Sequence, residues 1–446
     1  MMNKRTALSS SWLAEREKET LKRSGDRTVR HSIANVGLDE TALDPRSAAL
    51  HPYAFSLELE TGKITSQNKS GRCWLFAGLN TLRYKIMKDL DLENFELSQS
   101  YQMFYDKLEK ANYFLENILE TLQQPLNSRL VMWLLKDPLQ DGGQWDMFTA
   151  LVEKYGVVPK YVMPETYSSS NSGRMNETLT LVLRGYASDL RNAFSRGEAL
   201  SALRKEKARM IGEFYRLLTL FLGIPPADFV FEYVDKKKKF HRDPVCTPRE
   251  FCARYIGDDL GNYISVINAP TADKPFNRTF TVRYLGNVEG GKPVKYLNVD
   301  MPVFRSLAVK QLKAGAPVWF GSDVGKKMKR EAGILDEKVY DYEAALGIAF
   351  GLDKGGRLDY GESLMTHAMV LTGVNLVDEA PNRWKVENSW GDKNGKDGYF
   401  VMSDAWFEHY VYQLVIHKKH LSAALLRAWE REPLVLEPWD PMGSLA

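Results

Sequence analysis

Residues 66–77 read Ser66-Gln67-Asn68-Lys69-Ser70-Gly71-Arg72-Cys73-Trp74-Leu75-Phe76-Ala77. A reactive side chain, a turn and a helix start coincide in this stretch. Gly71 is suited to a tight turn, and from Trp74 onward apolar residues recur at helical spacing as far as about Met87. The pattern therefore predicts a helix with Cys73 in its first turn.

Cys73 is the candidate nucleophile. A cysteine attacks as the thiolate, and the unpaired N–H groups and positive dipole at a helix N-terminus favour that form. The same groups would stabilise the oxyanion of a tetrahedral intermediate, to which Gln67, six residues upstream, could add its side-chain amide. The alternative is a buried structural cysteine, which by residue type alone is the more common case. The local context favours the nucleophile.

The general base for Cys73 has to be one of seven histidines, which are His31, His51, His241, His367, His409, His417 and His420. His367 opens an apolar, strand-like segment, where a ring can be held rigidly. Asn388 follows 21 residues later and can orient the imidazole, while Trp390 could shield that hydrogen bond from water. Taken alone, a histidine beside an apolar strand is more often a hydrogen-bonded core residue than a catalyst.

A pair of glycines, Gly142 and Gly143, precedes a further predicted helix over residues 147–155. Adjacent glycines allow the backbone of a ligand to approach closely, so the pair is a candidate substrate-binding element. A simple loop explains the spacing equally well.

Composition limits the class of protein. The chain has 446 residues, 44% of them hydrophobic, and we expect about two to three domains. The formal net charge of +3 predicts neither an obligate nucleic-acid binder nor a membrane-surface protein. Residues 1–20 contain no apolar run of signal-peptide length, and no uncharged apolar run reaches the roughly 18 residues that a membrane span needs. We therefore expect a cytoplasmic protein.

The three cysteines, Cys73, Cys246 and Cys252, show no CxxC spacing. This pattern argues against a disulfide framework and against a cysteine zinc site, and it fits a reducing compartment. Cysteine-based hydrolysis requires neither a metal nor an organic cofactor, and we expect none.

Three segments together resemble papain-like cysteine proteases. Gln67, the six-residue gap and Gly71 to Ala77 resemble the nucleophile segment, most closely that of the bleomycin hydrolase and aminopeptidase C branch. Thr-His-Ala around His367 and Glu-Asn-Ser-Trp-Gly around Asn388 resemble the base and orienting segments, in the expected chain order. Ser70 stands where the secreted branch usually carries a disulfide cysteine, so that bridge cannot form.

This resemblance implies a cysteine aminopeptidase. A Cys73 thiolate, paired with the His367 imidazolium, would attack a peptide carbonyl while Gln67 and the Cys73 N–H hold the oxyanion; in the family a Gly-Gly pair binds substrate backbone. It also implies a homohexamer built in part by a helical insertion. The C-terminal arm would lie in the active-site cleft, where the Ala446 carboxylate would pair with the α-ammonium group of a peptide with a free N-terminus. Without the resemblance, the last residues would be read as a disordered tail.

The predicted fold class is α+β, with a papain-like two-lobed fold. Helical spacing gives way to strand-like patterns near Tyr263, so a helical lobe should precede a β-barrel-like lobe. Pro438 and Pro441 bar a regular helix near the end of the chain. The predicted units are an N-terminal arm (1–60), the helical lobe with the nucleophile (61–160), a helical insertion for oligomerisation (161–255), the β lobe with His and Asn (256–425) and the C-terminal arm (426–446).

Two other functions remain open at this point. A papain-fold hydrolase or transferase acting on non-peptide amides would share every catalytic residue. A nucleic-acid-binding or scaffold protein would use the run Lys236–Lys239 and carry the triad incidentally, although flanking aspartates make a solvated turn the favoured interpretation of that run.

Overall fold

The computed structural model describes residues 6–47, 49 and 51–445. Its α-helices, in chain order, are α1 (Ser10–Lys22), α2 (Ser24–Ala42), α3 (Cys73–Asp89), α4 (Gln99–Glu120), α5 (Arg129–Lys136), α6 (Trp145–Tyr155), α7 (Tyr167–Ser170), α8 (Gly173–Ser195), α9 (Leu200–Leu222), α10 (Pro248–Tyr255), α11 (Met301–Lys313), α12 (Tyr342–Leu346), α13 (Lys354–Asp359), α14 (Asp404–Tyr410) and α15 (Ala423–Trp429). Its β-strands are β1 (Leu57–Glu58), β2 (Glu232–Val234), β3 (Phe240–Arg242), β4 (Tyr263–Ile267), β5 (Arg278–Val282), β6 (Tyr296–Asn298), β7 (Val318–Ser322), β8 (Met328–Lys329), β9 (Ile334–Leu335), β10 (His367–Val377), β11 (Ala380–Glu387), β12 (Tyr399–Ser403), β13 (Val411–His417) and β14 (Leu434–Leu436).

The helix that begins at Cys73 lies at the centre of the helical lobe. Most of α3 is buried, and it packs against α4, α6 and β10. Helix α4 also packs against α8 and α9. These two helices bury apolar side chains at helical spacing, such as Leu179, Leu183 and Leu190 in α8. The predicted helix over about 73–87 is confirmed, and its apolar face accounts for the position of α3 in the core.

In the second half of the chain one sheet runs in the order β14-β5-β6-β4-β13-β7-β10-β11-β12-β9-β8, and β1 also pairs with β10. β10 and β11 form an antiparallel pair in which Val370 lies opposite Glu387. An antiparallel pair brings the start of one strand to the end of the next. His367, which opens β10, and Asn388, which directly follows β11, therefore meet at one end of this pair. The α+β fold, with the helical lobe first, is confirmed.

The second half of the chain is not built of strands alone, because α11 to α15 lie there as well. The sequence of α11 carries helix signals that strand-like neighbours obscured: the Asp300 side chain accepts from the Val303 N–H as an N-cap, and Pro302 occupies the first turn. Phe304, Leu307 and other buried residues then follow at helical spacing. α11 packs against β13, β10 and β7 and covers this face of the sheet.

The polar stretch with Pro381, between the strand-like segments that carry His367 and Asn388, predicts a loop. Pro381 lies instead within β11, opposite Leu376. The pairing of β11 with β12 begins only at Arg383. On the side that faces β12, Pro381 therefore lies before the first paired residue, and its missing N–H costs no hydrogen bond between these strands. The turn itself consists of Asp378 and Glu379, both at positive φ, which is typical of a tight two-residue hairpin.

The turn residues between Asn35 and Pro52 predict an irregular arm that lies on another domain. Helix α2 nevertheless continues to Ala42, with a break at Gly37, where φ is +86°. The segment contacts the β lobe: the Tyr342 hydroxyl donates to Asp39 Oδ1 over 2.8 Å, and His51 Nε2 lies 2.9 Å from Asp336 Oδ2.

The lysine run forms the turn of the β2–β3 hairpin. Asp235 accepts hydrogen bonds from the Lys239 N–H and from His241. Asp91 lies 4.0 Å from Lys236 Nζ, and Glu93 lies 3.9 Å from Lys238 Nζ. This arrangement favours a solvated turn that neighbouring carboxylates partly neutralise. Nowhere in residues 6–47, 49 and 51–445 is there a helix with the length and apolar character of a membrane span.

Candidate active site

Cys73 lies where α3 meets β10. Its side chain is buried, and the backbone N–H groups of Ala368, Trp74 and Cys73 itself lie close enough to favour the thiolate. Burial raises the pKa of the thiol to about 11, although these N–H groups lower it. Because Ala368 follows His367, the sulfur lies beside the start of the strand that carries the candidate base.

His367 is buried, and its Nε2 lies 2.9 Å from Asn388 Oδ1. The same oxygen accepts the Ser389 N–H over 2.8 Å, which fixes the amide orientation of Asn388. Since an amide oxygen can only accept, Nε2 carries the proton and Nδ1 is left as the basic nitrogen. Burial lowers the pKa of His367 to about 4, against the raising effect of the Asn388 hydrogen bond.

Burial thus favours the neutral form of both Cys73 and His367. Transfer of the thiol proton to the imidazole creates two charges at once, and their mutual attraction offsets the cost of burying each. The N-terminal dipole of α3 adds to the stability of the thiolate. The arrangement therefore favours formation of the thiolate together with the imidazolium.

Trp390 lies over the imidazole, with ring centroids 4.8 Å apart. The guanidinium of Arg330 lies over the indole, 4.4 Å from its centroid. Trp390 therefore lies between the His367–Asn388 pair and bulk water, in the position that a shielding residue would need.

Gln67 is held at two points by the segment that carries Asn388. Its backbone N–H donates to Ser389 O over 2.8 Å, and its Oε1 accepts from the Ser389 hydroxyl over 2.7 Å. Its Nε2 donates to Ser70 O over 2.6 Å, which uses one of the two amide hydrogens. The second hydrogen is available to an oxyanion.

Gly143 lies against the nucleophile helix, and Gly142 lies against α4. A Cβ at Gly143 would come within 2.5 Å of the Trp74 ring, and Gly142 O accepts from Lys110 Nζ over 2.6 Å. The close approach of Trp74 therefore explains a glycine at residue 143 without any substrate. Substrate binding by Gly142 and Gly143 stays a prediction. Gly71 does not adopt a left-handed conformation; it is needed because a Cβ there would lie 2.9 Å from Asp141 Cβ.

The C-terminal arm reaches both walls of this region. Ser444 O accepts from Gln144 Nε2 over 2.6 Å, and the Ser444 hydroxyl donates to Met365 O over 2.5 Å. Gln144 follows the glycine pair, and Met365 lies two residues before His367. The predicted carboxylate of Ala446 lies outside the described residues.

The arm is also anchored further back. Asp440 Oδ2 lies 2.8 Å from Lys274 Nζ, and the Tyr296 hydroxyl donates to Met442 O over 3.1 Å. A cavity of about 720 Å³ runs beside the arm, between α4, α5 and the residues from Pro438 to Leu445.

Sequence reasoning missed Ser389 and Asp141, which orient the predicted residues. Ser389 was part of the quoted Asn-Ser-Trp-Gly motif, but only the fold brings it to Gln67. Asp141 directly precedes the glycine pair and accepts the Gly71 N–H over 2.9 Å. No local signal marks it, because its partners are distant in the chain.

Within the described ranges no three His, Cys, Asp or Glu side chains are grouped as a metal site would require.

Known proteins resemble this chain over nearly its whole length. The model of the peptidase C1-like family matches residues 7–443. Aminopeptidase C of Listeria innocua is 52% identical over 415 residues, 93% of each chain. Bleomycin hydrolase of Gallus gallus is 41% identical over 402 residues, 88% of each chain. The crystal structure of PepW from Lactobacillus rhamnosis HN001 superposes with a TM-score of 0.97 at 50% identity and covers 99% of this chain and 100% of its own. The chain therefore belongs to the peptidase C1-like family, among the aminopeptidases C and bleomycin hydrolases.

Proposed function

We propose that this protein is a cysteine aminopeptidase that removes N-terminal residues from peptides, with Cys73 as its nucleophile. The observation that carries the proposal is the connected set formed by Cys73, His367, Asn388 and Gln67. The sulfur lies at a helix N-terminus beside the strand that begins with His367, and Asn388 fixes the imidazole. This arrangement supports roles for Cys73 as nucleophile, His367 as base and Asn388 as orienting group in acyl transfer by a thiol.

The reaction begins when the Cys73 proton passes to His367. The sulfur then bonds to the peptide carbonyl carbon, and the carbonyl electrons move to the oxygen, where Gln67 Nε2 and the Cys73 N–H stabilise the charge. Collapse breaks the C–N bond as His367 returns its proton to the departing amine. The departing amine is the shortened peptide, and the N-terminal residue stays on Cys73 as a thioester. Water, deprotonated by His367, attacks this thioester and releases the N-terminal amino acid, and His367 returns the proton to the sulfur.

The requirement for a free N-terminus is assigned to the C-terminal arm. Its anchors at Gln144 and Met365 support a position across the non-primed side of the cleft, beyond which a longer substrate would clash. A carboxylate at Ala446 would then attract the substrate's α-ammonium group. Gly142 and Gly143 would border the substrate backbone on the helical side.

Assembly into a homo-oligomer, hexameric as in the family, is part of the proposal. None of the thirteen described residues of α1 is buried, and Trp12, Leu13 and Leu21 are among its exposed apolar side chains. Leu181 and Leu220 are similarly exposed on the insertion helices α8 and α9. A helix that carries several apolar side chains and has no buried residue supports coverage by a further subunit. Size measurement at micromolar concentration tests this, and a stable monomer would contradict it.

A cytoplasmic location is likewise proposed. Cys73, Cys246 and Cys252 are all free thiols in the structure, as in proteins of reducing compartments.

Hydrolysis of aminoacyl and N-blocked fluorogenic amides by the wild type and by Cys73→Ala tests the function. We expect cleavage of the free aminoacyl amides only, lost in Cys73→Ala while the melting temperature stays close to that of the wild type. Full activity in Cys73→Ala would end the proposal. Turnover confined to non-peptide amides would instead support the amide hydrolase or transferase alternative.

A further inference from the structure

The carboxylate of Asp141 is a buried point at which three parts of the chain meet. Oδ2 accepts the Gly71 N–H over 2.9 Å and the hydroxyl of Ser172, while Oδ1 accepts from Asn176 Nδ2 over 2.8 Å and lies 2.7 Å from Lys107 Nζ. Burial opposes ionisation, but the Lys107 ammonium and these donors hold the pKa of Asp141 well below its usual range. Asp141 is therefore an anion with both oxygens occupied.

The backbone of Asp141 contacts the other side of Cys73. Its carbonyl accepts from Trp74 Nε1 over 2.6 Å. One residue thus fixes Gly71, two positions before the nucleophile, and Trp74, one position after it. The close approach of Gly71 to Asp141 Cβ leaves this loop little room to shift.

The helical insertion supplies the remaining support. Arg72 is almost fully buried and forms a two-pronged pair with Glu165, at 3.1 and 2.9 Å. The Lys69 N–H donates to Ser170 O over 2.9 Å. The loop before Cys73 therefore rests on residues 165–176, and Ser172 and Asn176 of that segment also bind Asp141.

We propose that Asp141 is a positioning residue for the reaction at Cys73, and that residues 165–176 of the insertion share this role through Ser172. Asp141 holds the loop between Gln67 and Cys73, and with it both oxyanion donors. In a chain with Ser70 in place of a disulfide cysteine, this ionic and hydrogen-bonded junction secures the loop without a covalent bridge. The inference rests on the proposed roles of Cys73 and Gln67.

The test compares Asp141→Asn and Ser172→Ala with the wild type. Asp141→Asn keeps the size of the side chain but loses the charge that Lys107 pairs with, and Ser172→Ala removes one donor from the insertion. The control is Asp336→Asn, a similarly buried carboxylate bound to His51 and Ser403 in the β lobe. For each protein we measure kcat and KM on an aminoacyl amide, the melting temperature, and the rate at which iodoacetamide alkylates Cys73, followed by peptide mass.

For Asp141→Asn we expect kcat to fall by about tenfold or more, since small displacements of reacting groups cost this much, with KM within about threefold. Ser172→Ala should show a smaller loss in kcat. The alkylation rate should be kept or raised, because the Asp141 charge raises the pKa of Cys73 and alkylation needs no oxyanion donor. Asp336→Asn should change none of these rates.

Values of kcat within twofold of the wild type in both variants would overturn the inference, as would a rise in KM alone or a parallel loss of alkylation. If Asp141→Asn does not fold, Ser172→Ala decides by the same criteria. Hydrolysis that persists in the Cys73→Ala variant would instead overturn the proposed function. The failure of the inference and the failure of the proposed function are therefore distinguishable.

Discussion

The hydroxyl of Ser389 donates to Gln67 Oε1 over 2.7 Å, so the residue that follows Asn388 also orients the predicted oxyanion donor. One segment, Asn388 and Ser389, therefore orients both the candidate base and the candidate oxyanion donor. We expect Gln67→Ala to lower kcat by about 10²-fold, as is typical of losing one oxyanion donor.

Ser389→Ala should lower kcat by about tenfold, because the Gln67 amide then keeps only its Nε2 bond to Ser70 O and is held less firmly. Steady-state kinetics on an aminoacyl amide measures both changes. Ser422→Ala, which removes the N-cap of α15, is the control for a lost serine hydroxyl. Wild-type kcat in Gln67→Ala would remove that residue from the site.

Replacement of the base and of its orienting partner should have unequal effects. His367→Ala loses both thiolate formation and protonation of the leaving amine, and kcat/KM should fall by about 10³-fold or more. Asn388→Ala leaves the imidazole in place with a free Nε2 and should retain more activity. The ratio of the two kcat/KM values is the measurement, and equal losses would mean that Asn388 does more than orient the ring.

The predicted site residues follow short patterns that local sequence encodes. A helix start after Gly71 and a strand start at His367 can be read from spacing because each depends on a few neighbouring residues. Asp141, Ser389 and Glu165 act through partners far along the chain, and only the packing of α3 against β10 and of residues 165–176 against the nucleophile loop brings them into contact. Helix α11 was missed because its buried positions are as apolar as the strands that flank it.

A pH-dependent stability is expected from Asp146, which lies in the first turn of α6. Burial raises the pKa of this carboxyl from 3.8 to about 7. Between these values the native protein holds a proton that the unfolded chain has lost, so the contribution of Asp146 to the free energy of unfolding decreases as the pH rises through this window. Asp146→Asn stays neutral throughout.

Relative to the wild type, the unfolding free energy of Asp146→Asn should therefore rise by on the order of 4 kcal/mol between about pH 4 and pH 7. Denaturant unfolding at several pH values measures this difference. Asp336→Asn is the matched control: the pKa of Asp336 is lowered, because His51 and Ser403 outweigh burial, so the stability from that carboxylate is lost as the pH falls. A pH-independent difference for Asp146→Asn would mean that Asp146 is ionised in the native protein.

The last prediction concerns the arm and the requirement for a free amino group. Deletion of residues 443–446 removes Ser444 and its bonds to Gln144 and Met365, together with the terminal carboxylate. The α-ammonium of an aminoacyl amide then has no counter-charge, so KM for these substrates should rise, while N-blocked and internal peptide bonds gain access to Cys73.

Lys274→Met is a milder companion to the deletion, because it keeps a long side chain but breaks the ion pair with Asp440 that anchors the arm. It should show a smaller shift in the same direction. The ratio of N-blocked to free aminoacyl hydrolysis measures both, with Cys73→Ala in the truncated background to show that one thiol performs both reactions. If the truncated enzyme still cleaves only substrates with a free amino group, the arm does not set this requirement, and another carboxylate of the cleft must bind the α-ammonium group.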